Sequence, residues 1–455
     1  MPTFPSDAVP HGSVPNYFWH PMGHPAQALS KPPRTMVSAE GIYVTDEDGK
    51  RYLDATSGQL GNVTLGYSAS EIKNAIAAQL DVLPYYASFR GTTNRPAEEL
   101  SRTLIEDWFG RDGMARVFFC SGGGDAVETA MRLSRQYWKI QGARDRYKFI
   151  ALRNGYHGTH FGGASLNSKA AVRRNYEPLL GGVYHIPTPW TYRNPFDEQD
   201  PQRLGELCAR MLEEEIVFQG PDTVAAFIAE PVTSAGGLVV PPPNFWPRVR
   251  EICTKFGVLL IADEVITGFG RTGFESGSRG WDVKPDLMTT AKAITSGYFP
   301  LGATLINSVI AEAFESNDDD FGTIGHGYTY SGHPVGCAAA LATLRLARER
   351  RVWENARARG DELMAGLQRL HQKHAIVGEV RGKGLMACLE LVSDRKTKKP
   401  IEATMTTRIL EAILAAGVMV RVSDSSIGLA PPLIVETVDI DQIIEAVNLG
   451  LSRCS

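Results

Sequence analysis

The sequence lacks the features that mark several large classes of protein. Its six cysteines are scattered and include no CxxC pair, which argues against a disulfide framework or a cysteine zinc site. No apolar run approaches the roughly 20 residues that a membrane-spanning helix needs. The net charge of −4 indicates no basic surface for nucleic acid or for an anionic membrane. The first residues have neither the basic nor the apolar region of a signal peptide. We therefore expect a cytoplasmic protein with reduced thiols and no nucleic-acid or membrane partner.

A metal site is not indicated either. His157 and His160 are three positions apart, a spacing that some metal ligands share. No Cys, Asp or Glu cluster accompanies them, and the same holds for the other histidine pairs. We expect no bound metal.

What the sequence does contain is an alternation of helical patterns with short apolar runs between about residues 70 and 325. The 455 residues are 43% hydrophobic and 22% charged, which allows two or three lobes with a large core. The alternation is typical of an α/β fold with a mostly parallel sheet. The predicted strands are Val117–Cys120, Lys148–Leu152, Ala225–Ala229, Val258–Ala262 and Leu287–Thr290. Outside this region we predict a hairpin over Gly41–Asp54, helices over Gly336–Arg350 and Asp441–Leu451, and strands over Leu385–Leu391 and Val418–Val422.

A glycine-rich loop follows the first of these strands. Ser121, Gly122, Gly123 and Gly124 precede a segment with apolar residues at helical spacing. Such a turn presents backbone N–H groups at a helix N-terminus, where a phosphate binds well. A plain tight turn is the alternative. The segment Gly268–Gly273 also matches G-x-G-x-x-G, but it does not directly follow a strand and no amphipathic helix comes after it, so we reject it as a dinucleotide site.

Lys292 ends the apolar run Pro285–Lys292, which indicates a lysine at the end of a buried strand. Burying an ammonium is costly, and the same cost lowers the pKa of the amine and makes it a nucleophile toward aldehydes. Asp263 ends another apolar strand; it could cap a helix or form a salt bridge, or it could hold the nitrogen of a pyridine ring protonated. With the glycine-rich loop, these residues match a phosphate cup, a pyridinium partner and a Schiff-base lysine, as a pyridoxal phosphate enzyme requires.

Three further positions allow two interpretations each. Glu230 could brace the same site or merely end a strand in a turn. Tyr156 could stack on a flat cofactor or belong to the core. Arg421 lies in an apolar strand-like run, and since buried arginines are rare unless paired, it implies a carboxylate partner in the protein or in a substrate.

These segments, in this order, resemble the class III (ω-) aminotransferases of fold type I over nearly the whole chain. The resemblance rests on Ser121–Leu133, Tyr156–Gly158, Glu230–Gly237, Ala262–Gly273, Lys292 with Gly297–Gly302, and Tyr328–Pro334. It implies a large pyridoxal phosphate-binding α/β domain over residues 69–325, with a mostly parallel central sheet. A smaller α+β domain then comes from both termini: residues 1–68, which include an N-terminal arm, and residues 326–455.

The resemblance also implies roles for individual residues. Lys292 forms the Schiff base with pyridoxal 5′-phosphate and then moves the proton, and Asp263 pairs with the pyridinium nitrogen. The other cofactor-binding residues it implies are Ser121, Gly122 and Gly123 at the phosphate, Tyr156 and Val265 on the two ring faces, His157, Glu230, and Thr329. Thr329 would reach the phosphate of the neighbouring subunit, which implies a homodimer or homotetramer with shared active sites.

The implied reaction moves an amino group from an ω-amino acid or primary amine to a keto acid such as pyruvate by a ping-pong mechanism. Substrate would contact Trp19, Leu60, Ser88, Phe89, Tyr156 and Arg421, with Arg421 as the mobile arginine that pairs with the keto-acid carboxylate. Many ω-transaminases have Trp where Leu60 stands and a second Phe where Ser88 stands, so we expect an enlarged pocket for bulkier amines. A pyridoxal phosphate-dependent isomerase, an aminomutase or amino-lactam racemase, is the alternative on the same scaffold. A non-catalytic regulator would not need both Lys292 and Asp263.

Overall fold

The computed structural model describes residues 17–453, so the first half of the predicted N-terminal arm lies outside the described residues. Within this range the α-helices are α1 (Pro25–Ser30), α2 (Ser70–Val82), α3 (Arg95–Thr103), α4 (Gly123–Ile140), α5 (Phe161–Leu166), α6 (Pro201–Gln219), α7 (Phe245–Phe256), α8 (Ser308–Glu315), α9 (Pro334–Glu349), α10 (Val352–Lys373), α11 (Ala403–Ala415) and α12 (Thr437–Ser452). The strands are β1 (Met36–Glu40), β2 (Tyr43–Asp46), β3 (Arg51–Asp54), β4 (Met114–Cys120), β5 (Lys148–Leu152), β6 (Val183–Ile186), β7 (Val224–Ala229), β8 (Leu259–Asp263), β9 (Leu287–Thr290), β10 (Gly302–Asn307), β11 (Val377–Gly382), β12 (Ala387–Asp394), β13 (Lys399–Pro400), β14 (Val418–Met419), β15 (Arg421–Ser423) and β16 (Ser426–Leu429).

The central sheet has the order β4-β10-β9-β8-β7-β5-β6. Its neighbours from β6 to β9 are parallel, while β10 is antiparallel to both β4 and β9. The predicted α/β class with a mostly parallel sheet is confirmed, and all five predicted strands are present. β6 and β10 are additional strands. Because β10 is antiparallel to both of its neighbours, β4 and β9 run in the same direction. The carboxyl ends of β4, β5, β7, β8 and β9 therefore meet at one edge of the sheet.

Helices cover both faces of this sheet, as a parallel sheet requires. Every residue of β7 and β8 is buried. On one face, α4 places Val127, Ala130 and Met131 in a cluster with the sheet residues Phe149 and Ile228. Local chemistry sets the helix limits: the Asp200 side chain accepts from the backbone N–H of Arg203 at the start of α6, and a proline occupies the first helical position.

Two smaller sheets bring the ends of the chain together. In the sheet β1-β2-β3-β14, the C-terminal strand β14 runs parallel to β3, and β11-β12-β16-β15 form an antiparallel sheet. The predicted hairpin is confirmed as β2 and β3, and the predicted helices as α9 and α12. The single strand predicted over Val418–Val422 is wrong, because β14 and β15 divide this segment between the two sheets. The domain boundaries stay a prediction. Within residues 17–453, no helix combines the length and the apolar character needed to cross a membrane.

Candidate active site

A cavity of about 320 Å³ opens at the carboxyl edge of the central sheet. This volume lies in the range of small-molecule sites. The cavity brings together residues that the sequence analysis selected from five separate segments: Ser121, Gly122, Gly123, Tyr156, His157, Glu230, Asp263, Val265 and Lys292. Each follows or ends one of the strands β4, β5, β7, β8 and β9, so the strand order of the sheet assembles the cavity.

One wall of the cavity is the N-terminus of α4. Gly122 is the N-cap of this helix. The first helical N–H that donates to a backbone carbonyl is that of Ala126, which bonds the Gly122 carbonyl at 3.0 Å. An α-helix leaves its first N–H groups without backbone acceptors. The N–H of Ser121, in contrast, already donates to Oδ2 of Asp125 at 3.0 Å. The backbone donors left for an anion are therefore those from Gly122 to Asp125, and Gly124 and Asp125 join the predicted loop residues.

Two of the three glycines of this loop, Gly123 and Gly124, are required by close packing. A Cβ on Gly123 would lie 2.9 Å from Cγ1 of Val265, and one on Gly124 would lie 3.0 Å from Cδ2 of His160. Gly122 has no atom within 4 Å of the same position. The loop thus presses on Val265, which follows β8, and this contact fixes the distance between the helix N-terminus and the sheet.

Lys292 lies two residues beyond β9, at the start of a short 3₁₀ turn, rather than at the end of the strand. Its φ of 48° is in the left-handed region, which non-glycine residues rarely adopt and which is concentrated at functional sites. Burial of its amine lowers the pKa of Lys292 to about 8, although the charges of Asp263 and Glu230 act in the opposite direction. The amine is thereby closer to its nucleophilic form at neutral pH than an exposed lysine is.

The carboxylate of Asp263 is held by three protein groups. Oδ1 accepts from Oγ1 of Thr289 at 3.0 Å and from the backbone N–H of Val265 at 3.1 Å. Oδ2 lies 2.7 Å from Nδ1 of His157. These contacts fix the plane of the carboxylate at the floor of the cavity, where it can accept a further hydrogen bond from a cationic ring nitrogen.

His157 is fully enclosed behind Asp263. Its backbone N–H donates to Oδ1 of Asn167 at 2.6 Å. Burial alone would lower the pKa of His157, but the hydrogen bond and charge of Asp263, with the charge of Glu230, raise it above its ordinary value. Nε2 is buried without a partner among residues 17–453.

Glu230 braces the segment that carries Tyr156. Oε1 accepts from the backbone N–H of Tyr156 at 3.1 Å, and Oε2 accepts from both the backbone N–H and Oγ of Ser234, at 3.0 and 2.7 Å. Burial raises the pKa of Glu230. The bracing interpretation and the strand-end turn both hold, since the same carboxylate closes the turn to Ser234 and positions Tyr156.

These residues fit pyridoxal 5′-phosphate. The α4 N-terminus offers free backbone donors for the phosphate, and Asp263 is a fixed acceptor for the ring nitrogen. Lys292 supplies the amine, and Tyr156 and Val265 supply surfaces beside the ring.

A smaller cavity of about 70 Å³ adjoins the first and shares Ser234 and Ile266 with it. Leu60 and Arg421 both line it. The expectation that Arg421 is buried is wrong, and of the two partners it allowed, a protein carboxylate is not found in the described range while a substrate carboxylate stays a prediction. Its side chain is exposed, and its guanidinium makes no ion pair or hydrogen bond with the other residues of the described range. The reason is topological: β15 is the edge strand of its sheet and pairs only with β16.

Four predicted residues line neither of these two cavities. Trp19 is 80% exposed, and the carbonyl of Thr329 accepts from the Tyr85 hydroxyl at 2.8 Å on the outer surface. Ser88 and Phe89 lie against the loop that carries Thr329: a Cβ on Gly332 would lie 3.1 Å from Oγ of Ser88. Sequence reasoning also missed Thr289, Asn167, Asp125 and Ser234, which orient the predicted residues. The weak signal for Thr289 was a hydroxyl in a buried strand.

Comparison with known proteins gives one consistent family. The model of the family "Aminotransferase class-III" matches residues 26–451. Putrescine–pyruvate aminotransferase of Pseudomonas aeruginosa is 37% identical over 92% of this chain and 90% of its own length. Taurine–pyruvate aminotransferase of Bilophila wadsworthia is 36% identical over 95% of this chain and 94% of its own length. Among solved structures, an amine transaminase from an uncultivated Pseudomonas species, in its PLP-bound form, superposes with a TM-score of 0.95 at 47% identity, covering 97% of this chain and 100% of that one. An (S)-enantioselective omega-transaminase from Thermomicrobium roseum gives 0.91 at 39% identity, covering 95% and 96%.

Proposed function

The chain belongs to the class-III aminotransferases, and we propose that it moves an amino group from a primary amine or ω-amino acid to pyruvate, with pyridoxal 5′-phosphate as cofactor. The observation that carries this proposal is the buried amine of Lys292, which shares one cavity with the Asp263–His157 pair and the N-terminus of α4. Relatives named for putrescine or taurine with pyruvate support the amine-to-pyruvate direction.

Pyridoxal phosphate, when bound, supplies the aldehyde that takes up an amino group and a ring that stabilises negative charge at the carbon losing its proton. Asp263 keeps the ring nitrogen protonated, and His157 and Thr289 keep that carboxylate in place. Tyr156 and Val265, which line the cavity, would flank the ring. Lys292 would hold the cofactor through its amine, and the same amine, when free, would serve as the base that carries the proton during the reaction.

The keto acid and the amine would meet different side chains. Pyruvate carries a carboxylate, and Arg421 offers a guanidinium without a fixed partner in the described chain, next to the Lys292 cavity. A guanidinium can bind a carboxylate through two parallel hydrogen bonds. An amine without a carboxylate gains nothing from Arg421 and would use the apolar lining of the smaller cavity instead.

Of the four predicted residues outside the cavities, Trp19 stays a prediction, and the other three would contribute to the active site of a second subunit. Phe89 and Thr329 are exposed beside Tyr85 and Tyr330, which are 39% and 55% exposed, and Ser88 lies half-buried against the same loop. Exposed aromatic clusters of this kind favour an interface. We propose a homodimer in which this surface completes the partner's site, and a cytoplasmic location, which the five buried, unpaired cysteines of the described range support.

The visible spectrum of the purified protein tests the activity. The band of the lysine-bound cofactor should bleach on addition of an amine without acceptor and return with pyruvate. Lys292→Ala should remove nearly all turnover, because a positioned base contributes roughly 10²–10⁴-fold. A band that persists while the amine is isomerised without keto acid would point to an isomerase, and turnover of Lys292→Ala near wild type would refute the proposed role.

Subunit complementation tests the shared site. Lys292→Ala and Thr329→Glu, each inactive alone, should recover about a quarter of wild-type activity when co-refolded in equal amounts, because half the dimers are hybrids with one intact site. No recovery, with hybrids demonstrated by mass, would mean that each chain builds its own site.

A further inference from the structure

The segment Thr56–Gly61, here named the pocket loop, has an unusual backbone. Ser57, Gly58, Gln59 and Gly61 have φ values of 48°, 73°, 64° and 75°. Two of these residues are not glycine, and left-handed backbone costs a non-glycine residue of order 1 kcal/mol or more. A loop of this shape persists only where surrounding groups hold it.

The carboxylate of Asp54, at the end of β3, holds the pocket loop. Asp54 is 2% exposed. Oδ1 accepts from the backbone N–H and the hydroxyl of Thr56, at 2.9 and 2.5 Å. Oδ2 accepts from the N–H of Gly58 at 2.5 Å and from the hydroxyl of Tyr67 at 2.7 Å. Burial and the charge of Asp54 raise the pKa of Tyr67, so that the phenol remains a donor. Thr56 and Gly58 thus tie the pocket loop to the Asp54 carboxylate, and Tyr67 holds that carboxylate in place.

Other hydrogen bonds also hold the pocket loop. Oγ1 of Thr56 accepts from the N–H of Gln59 at 3.0 Å. The fully buried Arg271 donates to Oγ of Ser57 at 3.0 Å, and that hydroxyl donates to the carbonyl of Ala430 at 2.7 Å.

The pocket loop forms one side of the smaller cavity beside the Lys292 site. Thr56, Gln59, Leu60 and Gly61 line this cavity together with Arg421. Leu60 is 56% exposed, so its apolar surface is available to a substrate. Leu60 has no polar side-chain atom, and Asp54 can therefore act on it only through the backbone.

We propose that Asp54 is a positioning residue that sets amine selectivity, by holding the pocket loop in the shape that presents Leu60 to the smaller cavity. The inference rests on the proposed function. A bulky amine that reaches Leu60 depends on this contact, whereas a small amine and pyruvate do not.

The test is Asp54→Asn, assayed with 1-phenylethylamine and with isopropylamine, each against pyruvate. The amide keeps an acceptor for Thr56 but turns an NH₂ toward the N–H of Gly58, so two donors face each other. We expect kcat/KM for the aryl amine to fall about tenfold, mainly through KM, while the values for isopropylamine and the KM for pyruvate stay within about twofold. The visible band of the bound cofactor should be unchanged.

Asp46→Asn is the matched control. Asp46, on the neighbouring strand β2, is 1% exposed and accepts from the Tyr52 hydroxyl and the Lys50 N–H at 2.8 and 2.9 Å, yet it lines neither cavity. It should lower thermal stability without changing the ratio of the two amines. Should Asp54→Asn fail to fold, Tyr67→Phe removes one of the bonds to Asp54 and should shift the ratio about threefold in the same direction.

A double-mutant cycle excludes a merely structural role. Leu60→Ala should lower kcat/KM for the aryl amine by itself, but should have little further effect in the Asp54→Asn background, since the leucine is already displaced. Additive effects, or an amine ratio in Asp54→Asn equal to that of wild type or of Asp46→Asn, would overturn the inference. Failure of the proposed function would give a different result, because the wild-type protein itself would transfer no amino group to pyruvate.

Discussion

Nδ1 of His157 lies 2.7 Å from Oδ2 of Asp263, and the two side chains expose 0% and 3% of their surface. Water cannot screen this pair, so its electrostatic interaction is stronger than that of a surface pair. The imidazole of His157 therefore stabilises the negative charge of Asp263 and fixes the orientation of its carboxylate.

Replacing His157 tests this arrangement. His157→Phe should lower kcat by about tenfold or more and weaken cofactor binding, because a buried carboxylate loses its partner. His157→Gln, whose amide can still donate, should recover part of the loss. Steady-state rates and cofactor titration by visible absorbance measure both effects. His185→Phe is the control, since that imidazole bonds the carbonyl of Leu166; equal losses in both phenylalanine variants would contradict a specific role.

Much of the site could be predicted because its chemistry is local in sequence. The glycine-rich loop directly follows β4, and Lys292 follows an apolar run, so each feature is visible within about ten residues. The contact between His157 and Asp263 joins positions 106 residues apart. Only the strand order of the sheet brings them together, and no single sequence segment contains that order.

The predicted burial of Arg421 failed for a related reason. Apolar neighbours indicated a buried strand, but burial depends on whether a strand is central or at an edge, and β15 has a partner on one side only. The role predicted for Thr329 concerns a second subunit, and those predicted for Ser88 and Phe89 concern the substrate. All three stay predictions, since one chain places these residues outside both cavities.

The lowered pKa of Lys292 predicts how the apoprotein takes up its cofactor. Burial disfavours the charged amine, so the reactive neutral fraction increases as the pH rises through about 8, well below the range of an exposed lysine. The rate of pyridoxal phosphate incorporation, trapped by borohydride and located by peptide mass, should follow this curve. Lys292→Ala measures the background at other lysines. A midpoint above pH 10 at Lys292 would mean that burial does not control the amine.

Arg421→Ala should separate the two half-reactions. Losing a guanidinium that binds carboxylate should raise the KM for pyruvate by about tenfold or more, with little change for an amine that has no carboxylate. Arg421→Lys should recover part of the affinity, because the charge returns without the planar fork. Arg116→Ala removes an exposed arginine paired with Glu315 and should change neither KM. Equal effects of Arg421→Ala on both substrates would refute its role.

The contact between Gly123 and Val265 can be tested with Gly123→Ala. The sign of the change in stability shows whether helix propensity or overpacking dominates. Alanine is a better helix former than glycine by up to about 1 kcal/mol, so propensity alone would make Gly123→Ala neutral or stabilising. The new Cβ, however, would meet Val265 at 2.9 Å, and overpacking of this kind costs about 1–3 kcal/mol. We expect net destabilisation of the apoprotein, measured by urea unfolding.

Two further variants show whether that contact is the cause. Gly122→Ala adds the same methyl group one residue earlier, at extended backbone with no atom within 4 Å, and should cost no more than the difference between glycine and alanine at a helix N-cap, about 0.5–1 kcal/mol. Val265→Ala should remove most of the penalty of Gly123→Ala, so the two substitutions would be strongly non-additive. If Gly123→Ala is instead as stable as Gly122→Ala, helix propensity outweighs the contact, and Val265 does not fix the position of the helix N-terminus.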